Sequence, residues 1–142
     1  MPSDDAPFQV RATTPDDLDA LESFIAPFVE DGRILPRTKE ELNQLLSTGF
    51  LAESNHGIIG FAALEVYSPK LGEIRSLCVA PAAQGMGIGR RLVRECLQLA
   101  ERRGVFEVMA ITSQDEFFKS CGFDFTLPGE KKALFFPVRE KH

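Results

Sequence analysis

The sequence predicts an α/β (α+β) domain whose single mixed, mostly antiparallel sheet has about six to seven strands and helices on both faces. Three observations support this prediction. Short strand-like segments recur along the chain, and turn-forming residues separate two of them, 50–53 and 58–67. An amphipathic segment, 88–103, has the periodicity of a long helix, and an apolar segment, 105–111, follows it. A strand, a helix and a strand in this order imply a right-handed crossover and a parallel strand pair.

The first part of the chain predicts a strand followed by two helices. Residues 8–11 alternate between apolar and polar side chains, as a half-buried strand does. Residues 14–17, Thr-Pro-Asp-Asp, are typical of a helix start, and apolar residues then recur at helical spacing over 18–28. Gly32 ends this helix. Residues 38–41, Thr-Lys-Glu-Glu, have the order of a capping box and begin a second, short helix.

A meander of antiparallel strands is predicted next. Residues 50–53 and 58–67 flank the turn-forming sequence Ser-Asn-His-Gly, which favours a hairpin. A third strand covers 73–79 and ends before Pro81.

The remaining segments complete the predicted sheet. Residues 105–111 have the apolar density of a buried parallel strand. Residues 113–121 have a helical pattern, and 123–125 and 133–138 predict the closing strands. Because no repeat or linker divides this succession, we expect one domain over residues 1–142.

Composition and charge exclude several classes of protein. The net charge of −5 does not favour a nucleic-acid partner. The three cysteines, Cys78, Cys96 and Cys121, are odd in number and lie in apolar surroundings, so we expect reduced thiols rather than disulfides. The two histidines, His56 and His142, and the lack of a Cys-x-x-Cys pair do not support a metal site.

The sequence also predicts a cytoplasmic protein with no membrane partner. No apolar stretch approaches the roughly 20 residues that cross a bilayer. The first five residues, Met-Pro-Ser-Asp-Asp, lack the apolar core of a signal peptide.

A glycine-rich segment, 84–89, lies between the third strand of the meander and the long helix. Its sequence, Gln-Gly-Met-Gly-Ile-Gly, contains three alternating glycines. Without side chains at these positions, backbone N–H groups can converge on an anion, and the helix start adds unpaired N–H groups and the positive end of its dipole. The segment therefore predicts a pyrophosphate-binding loop, although a tight turn with close helix packing has the same pattern.

Two nucleotide-binding motifs do not fit this segment. A Walker loop ends in Gly-Lys-Ser/Thr, whereas Gly89 is followed by Arg90 and Arg91. A dinucleotide-binding unit has an acid at the end of its second strand, where this chain has Thr112. Arg90 and Arg91 are instead candidates to reach a further phosphate.

The loop resembles the acetyl-CoA signature of the GNAT N-acetyltransferase superfamily, Arg/Gln-x-x-Gly-x-Gly/Ala, with Gln84, Gly87 and Gly89 at the matching positions. Residues 77–81 resemble the fourth strand of that superfamily with its proline exit, and residues 122–123 resemble its Gly-Phe signature. The resemblance implies a GNAT-like (acyl-CoA N-acyltransferase) fold, a single N-acetyltransferase domain, and acetyl transfer from acetyl-CoA to an amine.

Carried over residue by residue, the resemblance implies how acetyl-CoA binds. Backbone groups of Leu77, Cys78 and Val79 hold the pantetheine arm and polarise the thioester carbonyl. The arm lies in a slot between the strand that ends at Val79 and the strand that ends at Ile111. The residues implied for the pyrophosphate are Gln84, Gly85, Met86, Gly87, Ile88, Gly89 and Arg90. No metal is implied.

One departure from the superfamily concerns the catalytic acid. Many members have a tyrosine four residues before the Gly-Phe pair, where this chain has Phe118, and its one tyrosine, Tyr67, is on an earlier strand. This departure leaves open an acetyl-CoA-binding regulatory module without turnover. Cys78 is interpreted as a small buried hydrophobe rather than a nucleophile, because no histidine is near it in sequence.

The chain most resembles the acetyltransferase domain of N-acetylglutamate synthases and their stand-alone relatives. The segments that carry this resemblance are 34–37, 40–42, 60–64, 73–77, 111–112 and 117–118. It implies a small amino acid as the acceptor, with glutamate or a close analogue as the first choice. The acidic composition leaves a protein amino terminus, a lysine side chain or a polyamine open as the alternative acceptor, and a homodimer stays open as well.

The same resemblance implies roles for five residues. The acid at the position of Glu73 is a proposed base in that family, and a hydroxyl at the position of Thr112 is a proposed acid. Residues at the positions of Arg37 and Ser76 contact the acceptor, and Arg75, beside them, joins this predicted set.

Arg37 and Glu73 also have structural interpretations. The planar fork of Arg37 can pair both oxygens of a carboxylate, or it can form a surface ion pair with Glu40 or Glu41. On a regular strand Glu73 shares a face with Arg75, so an ion pair between them competes with the role of base.

The remaining candidates depend on local backbone geometry. A bulge is needed to aim Glu73 and Ser76 at one place. Thr112 is either an acid or a cap for the helix that begins at Ser113. Phe117 and Phe118 are expected to form a wall of the slot or part of the core.

Overall fold

The computed structural model describes residues 7–125, 134 and 136–138. Within them, five strands form one sheet in the order β1-β2-β3-β4-β5. The strands are β1 (Gln9–Ala12), β2 (Gly49–Ser54), β3 (Gly57–Ser68), β4 (Leu71–Val79) and β5 (Glu107–Met109). The first four are antiparallel and β5 is parallel to β4, so the predicted fold class, a mixed and mostly antiparallel sheet, is confirmed.

Four α-helices accompany this sheet. They are α1 (Leu18–Glu30), α2 (Lys39–Leu45), α3 (Ile88–Arg102) and α4 (Asp115–Ser120). The capping box predicted for α2 is present: the Thr38 hydroxyl oxygen accepts a 3.0 Å bond from the Glu41 amide, and the Glu41 carboxylate accepts a 2.8 Å bond from the Thr38 amide. None of the helices in the described residues is long and apolar enough to cross a membrane.

Two apolar clusters cover the two faces of the sheet. On one face, α3 and α4 pack against alternate residues of β2, β3 and β4, including Ala62, Leu64 and Ile74. On the other face, α1 and α2 pack against the intervening residues, including Leu51 and Phe61. Each fully buried aliphatic side chain of this kind contributes roughly 1.5–3 kcal/mol to stability. Because side chains alternate between the two sides of a strand, each side chain of β3 and β4 packs on one face of the sheet.

The register between β3 and β4 contains the predicted bulge. Phe61 pairs with Cys78 and Ala63 pairs with Arg75, so Ser76 and Leu77 lie opposite a single residue of β3. Ser76 has a φ of 59°, in the left-handed region that non-glycine residues seldom adopt. Because of the extra residue, Leu77 packs in the cluster beside α3 instead of sharing a face with Arg75.

The parallel pair at the end of the sheet is shorter than predicted. The sequence predicted a buried strand over 105–111, but β5 has three residues, and Phe106 and Ile111 are 82% and 64% exposed. The apolar side chains of 105–111 lie at an edge of the sheet, where the described residues provide no further strand to cover them. The high apolar content of this segment therefore did not indicate burial.

The predicted closing strands have two outcomes. Residues 123–125 form no strand, which makes that prediction wrong. Phe123 instead packs edge-on against Phe118, with ring centroids 5.2 Å apart, and so completes the helical side of the core. Of residues 133–138, positions 133 and 135 lie outside the described residues, and the other four are in no strand.

Candidate active site

The sheet opens where β4 and β5 diverge. Their pairing joins Leu71, Gly72 and Glu73 of β4 to the three residues of β5 and then stops. Beyond Glu73, β4 keeps its bonds to β3, while on the β5 side its backbone groups have no strand partner among the described residues and can bind an extended ligand. A cleft of about 850 Å³ begins at this point and reaches the start of α3.

The loop before α3 forms one wall of the cleft. Gly85 and Gly87 have φ values of 88° and 79°, which favour glycine, and a Cβ at either position would project into open space. Gly87 is the N-cap of α3, and the first helical bond runs from the Arg91 amide to the Gly87 carbonyl. The amides of Ile88, Gly89 and Arg90 therefore precede the helical bonding pattern, as an anion-binding helix start requires.

A phenylalanine closes the cleft on the side of α4. A Cβ added to Gly89 would lie 3.3 Å from the Phe117 ring, so a larger residue there would push the ring away. Phe118, next in sequence, is buried in the core, and its ring meets that of Phe117 edge-on. The prediction that these two residues form a wall and part of the core is confirmed.

Most of the residues predicted to bind acetyl-CoA line this cleft. Those that do are Leu77, Cys78, Val79, Gln84, Gly85, Gly87, Ile88, Gly89 and Arg90. Met86 is not among the lining residues, although it lies within the loop. Their backbone groups and small side chains leave the room that a pyrophosphate and a peptide-like arm need, so the residues present fit the predicted ligand.

Arg90 has a partner on the far side of the cleft mouth. Its guanidinium donates to the Ser120 carbonyl at 2.6 Å and to the Ser120 hydroxyl oxygen at 2.9 Å. These bonds tie the first turn of α3 to the last turn of α4, and the guanidinium remains exposed. Arg90 thus braces the mouth of the cleft while its charge stays near the loop.

Cys78 lines the cleft, but its thiol is not a nucleophile. Burial raises the pKa of this thiol to about 12, so it is protonated at neutral pH. This agrees with its interpretation as a small buried hydrophobe.

Two of the three predicted acceptor residues, Arg37 and Arg75, lie with the predicted base Glu73 by the other face of β4. We call this group of side chains the ion cluster: Arg37, Glu65, Tyr67, Glu73 and Arg75. Glu73 is buried, and one of its oxygens accepts bonds from the Tyr67 hydroxyl at 2.5 Å and from Arg75 at 3.3 Å. The same Arg75 nitrogen donates to Tyr67 at 2.9 Å and to Glu65 at 3.2 Å. The ion pair between Glu73 and Arg75 that the sequence offered as one interpretation is therefore present.

Two members of the ion cluster have shifted pKa values. Burial opposes the charge of Arg75, but the Glu73 carboxylate and the Tyr67 hydroxyl raise the pKa of its guanidinium above the usual value. Partial burial, together with the bond to Glu73, raises the pKa of the Tyr67 phenol. Both groups therefore keep their protons throughout the neutral range.

Arg37 has an uncommitted nitrogen. Its side chain is 12% exposed, and its Nε is buried without a hydrogen-bond partner among the residues that the structure describes. The nearest carboxylate oxygen is that of Glu65, 3.9 Å from a terminal nitrogen, and the structure shows no pair with Glu40 or Glu41 among the ion pairs of the described residues. A buried donor left unpaired costs about 1–3 kcal/mol, which a bound carboxylate would recover.

The last two predicted residues border the two regions. Ser76 is the first residue of the bulge, between the ion cluster and the backbone that lines the cleft. Thr112 lines the cleft, and its hydroxyl oxygen accepts a 2.8 Å bond from the Gln114 amide, ahead of α4. It therefore supports the turn into the helix and still has a proton to donate.

Sequence reasoning missed Glu65 and Tyr67. Both follow Ala63 at intervals of two on β3, so they share its face, and Glu65 pairs directly with Glu73 across the hairpin. The alternation on β3 indicates that they share a face with Ala63, but their partners on β4 depend on the register of the hairpin.

Comparison with known proteins decides the family. The profile of the Acetyltransferase (GNAT) family matches residues 17–123. The chain belongs to this family. It is an N-acetyltransferase whose acetyl donor is acetyl-CoA, and the cleft beside β4 has the groups to bind that donor. The resemblance to the superfamily drawn from the loop is thus confirmed.

Three relatives describe this membership in more detail. An uncharacterized N-acetyltransferase of Chlorobaculum tepidum is 33% identical over 107 residues, which are 75% of this chain and 69% of that protein. The amino-acid acetyltransferase of Ralstonia nicotianae is 30% identical over 132 residues, which are 89% of this chain and 29% of that protein. N-acetylglutamate synthase from Neisseria gonorrhoeae, solved with coenzyme A and N-acetyl-glutamate, has a TM-score of 0.72 and 29% identity, covering 80% of this chain and 27% of its own. The chain thus spans a minor part of the two amino-acid-acetylating proteins.

Proposed function

We propose that the chain transfers the acetyl group to the α-amine of a small amino acid, glutamate or a close analogue, by direct attack in a ternary complex. The observation that carries this proposal is the unpaired, buried Nε of Arg37 within the ion cluster. A guanidinium binds a carboxylate through two parallel bonds, and every free amino acid has a carboxylate next to its amine.

The donor side depends mainly on backbone groups. Leu77, Cys78 and Val79 offer their free strand edge to the pantetheine arm, and the loop 84–90 offers amides to the pyrophosphate. Acetyl-CoA supplies an activated acetyl thioester. Residues of the chain orient the thioester, exclude water and transfer the protons.

Glu73 is the proposed base. An amine attacks a carbonyl only when it is neutral, and a free α-amine is largely protonated at neutral pH. Glu73 is buried and held by Tyr67 and Arg75, so its carboxylate has a defined position from which to take the proton. Thr112, whose hydroxyl proton is uncommitted, is the proposed acid for the leaving sulfur.

Relatives support the choice of acceptor. The Ralstonia protein is named an amino-acid acetyltransferase, and the Neisseria enzyme was solved with N-acetyl-glutamate. Of the predicted acceptor residues, Arg75 pairs with the proposed base Glu73, Arg37 lies 3.9 Å from Glu65 of the same cluster, and Ser76 follows Arg75 on β4.

A panel of acceptors tests the proposal. The purified chain is incubated with acetyl-CoA and one amine at a time, and release of the CoA thiol is followed. Glutamate, glutamine and other free amino acids should be turned over faster than peptides, lysine side chains or polyamines. Turnover of peptides or polyamines with none of free amino acids would contradict the amino-acid acceptor and favour the alternative.

A further inference from the structure

Glu65 faces Glu73 across the hairpin. The two residues are register partners on β3 and β4, and both side chains lie on the face that carries the ion cluster. Two carboxylates opposite each other repel unless a cation lies between them. Arg75 lies there and bonds to both, at 3.2 Å and 3.3 Å.

Glu65 also affects Arg37. The same oxygen that accepts from Arg75 lies 3.9 Å from a terminal nitrogen of Arg37, at ion-pair distance but beyond a hydrogen bond. Glu65 therefore offsets part of the charge of both guanidiniums without occupying the Nε of Arg37. Its side chain is 34% exposed, so an entering ligand can reach it.

The charges of the ion cluster balance. Its two arginines and two glutamates sum to zero, and Tyr67 is neutral. A first ligand carboxylate can bind Arg37, but a second would find Arg75 already shared by Glu65 and Glu73. Arg33, a further cation near the cleft, is 55% exposed and lies 3.9 Å from Asp31, so water and that carboxylate weaken its attraction.

We propose that Glu65 determines acceptor specificity: its carboxylate, shared between Arg37 and Arg75, makes the site favour acceptors with one carboxylate over acceptors with two. This inference rests on the proposed function and narrows its acceptor from glutamate to a close analogue with one carboxylate, such as glutamine. The device is repulsive, because a second carboxylate that approaches Arg75 also approaches the Glu65 oxygen to which Arg75 donates. Glutamine and glutamate, which have nearly the same shape, differ in this one charge.

The competing interpretation is that Glu65 serves only the fold by neutralising Arg75. In that case its replacement would change stability and turnover of both amino acids alike. A specificity role changes the ratio between them, so the ratio is the quantity to measure.

The experiment compares kcat/KM for glutamine and for glutamate in the wild-type chain and in Glu65→Gln. The wild type should prefer glutamine. Glu65→Gln should raise the glutamate-to-glutamine ratio by about tenfold, the size expected for one partly screened charge. Glu53→Gln is the matched control, because Glu53 also lies on a strand, pairs with an arginine and is 34% exposed, and it should leave the ratio unchanged.

A binding measurement gives the same comparison without catalysis. By calorimetry, N-acetylglutamine should bind the wild type more tightly than N-acetylglutamate, and Glu65→Gln should narrow or reverse the difference. A wild-type preference for glutamate, or a ratio that Glu65→Gln leaves unchanged, overturns the inference alone. If the wild type turns over neither amino acid, the proposed function fails and this inference fails with it.

Discussion

The two sides of β4 offer different kinds of groups to the ligands proposed for them. On the α3 side, the loop wall of the cleft consists largely of backbone groups, glycines and the start of a helix, and its residues, 84–90, are close in sequence. The ion cluster on the other side consists of charged side chains from β3, β4 and the segment before α2. One region therefore depends on local chain conformation and the other on how distant segments pair.

This difference separates the effects of substitutions. Changes in the cleft should alter donor binding and leave the acceptor preference intact. Changes in the ion cluster should alter chemistry or acceptor binding and leave CoA affinity intact. Four predictions follow from this separation, from the largest effect to the smallest.

Glu73→Gln should have the largest effect. Loss of the proposed base should lower kcat by about a hundredfold or more, because positioned proton transfer typically contributes 10²–10⁴-fold. The affinity for CoA, measured by calorimetry, should change little. A kcat within about threefold of wild type would contradict the role of base.

Gly87→Val should weaken CoA binding by at least about tenfold. A β-branched residue at a φ of 79° costs about 1–3 kcal/mol, and its side chain enters the space before the helix start. Gly104→Val is the matched control, because Gly104 has a φ of 70°, also lies in open space and is at the far end of α3. Both variants should lose similar stability in thermal melts, and equal loss of CoA affinity in both would remove the loop from the donor site.

Arg37→Ala should raise the acceptor KM by about tenfold, because a carboxylate loses its bidentate partner. Arg37→Lys, which keeps the charge without the planar fork, should recover part of this loss. Steady-state kinetics at saturating acetyl-CoA measure the acceptor KM of both variants. A parallel rise in the KM for acetyl-CoA would indicate a general disturbance of the fold.

Ser76→Gly should have the smallest effect, and it should stabilise the protein rather than impair it. Because glycine relieves the strain of a φ of 59°, the free energy of unfolding should rise by about 0.5–1 kcal/mol. The entropy that glycine adds to the unfolded chain reduces this gain. Denaturant unfolding measures this change. Ser76→Ala, which removes the hydroxyl and keeps the strain, should give no gain.

The contrast between the two regions also explains what could be predicted from sequence. The capping box at Thr38, the glycines of the loop and the periodicity of α3 are local patterns, and the structure reproduces them. The pairing of Glu65 with Glu73 depends on the register between two strands, which no local pattern states.

Two other features show where local patterns mislead. A bulge is needed to bring Glu73 and Ser76 together, but serine has no special preference for a left-handed φ, so the sequence did not indicate where the bulge lies. The apolar residues of 105–111 predicted burial, yet Phe106 and Ile111 lie beside an edge strand. Composition does not distinguish an edge from the centre of a sheet.

The bulge at Ser76 divides β4 into two parts that can change independently. Before it, Glu73 and Arg75 belong to the ion cluster, the proposed acceptor site; after it, Leu77 to Val79 line the cleft proposed for the donor. Main-chain groups are the same whatever the side chains are, so substitutions in the first part can redirect the choice of amine while the second part stays adapted to one donor. A single strand thus contains one segment that acts through its main chain and one that acts through its side chains, and one extra residue joins them.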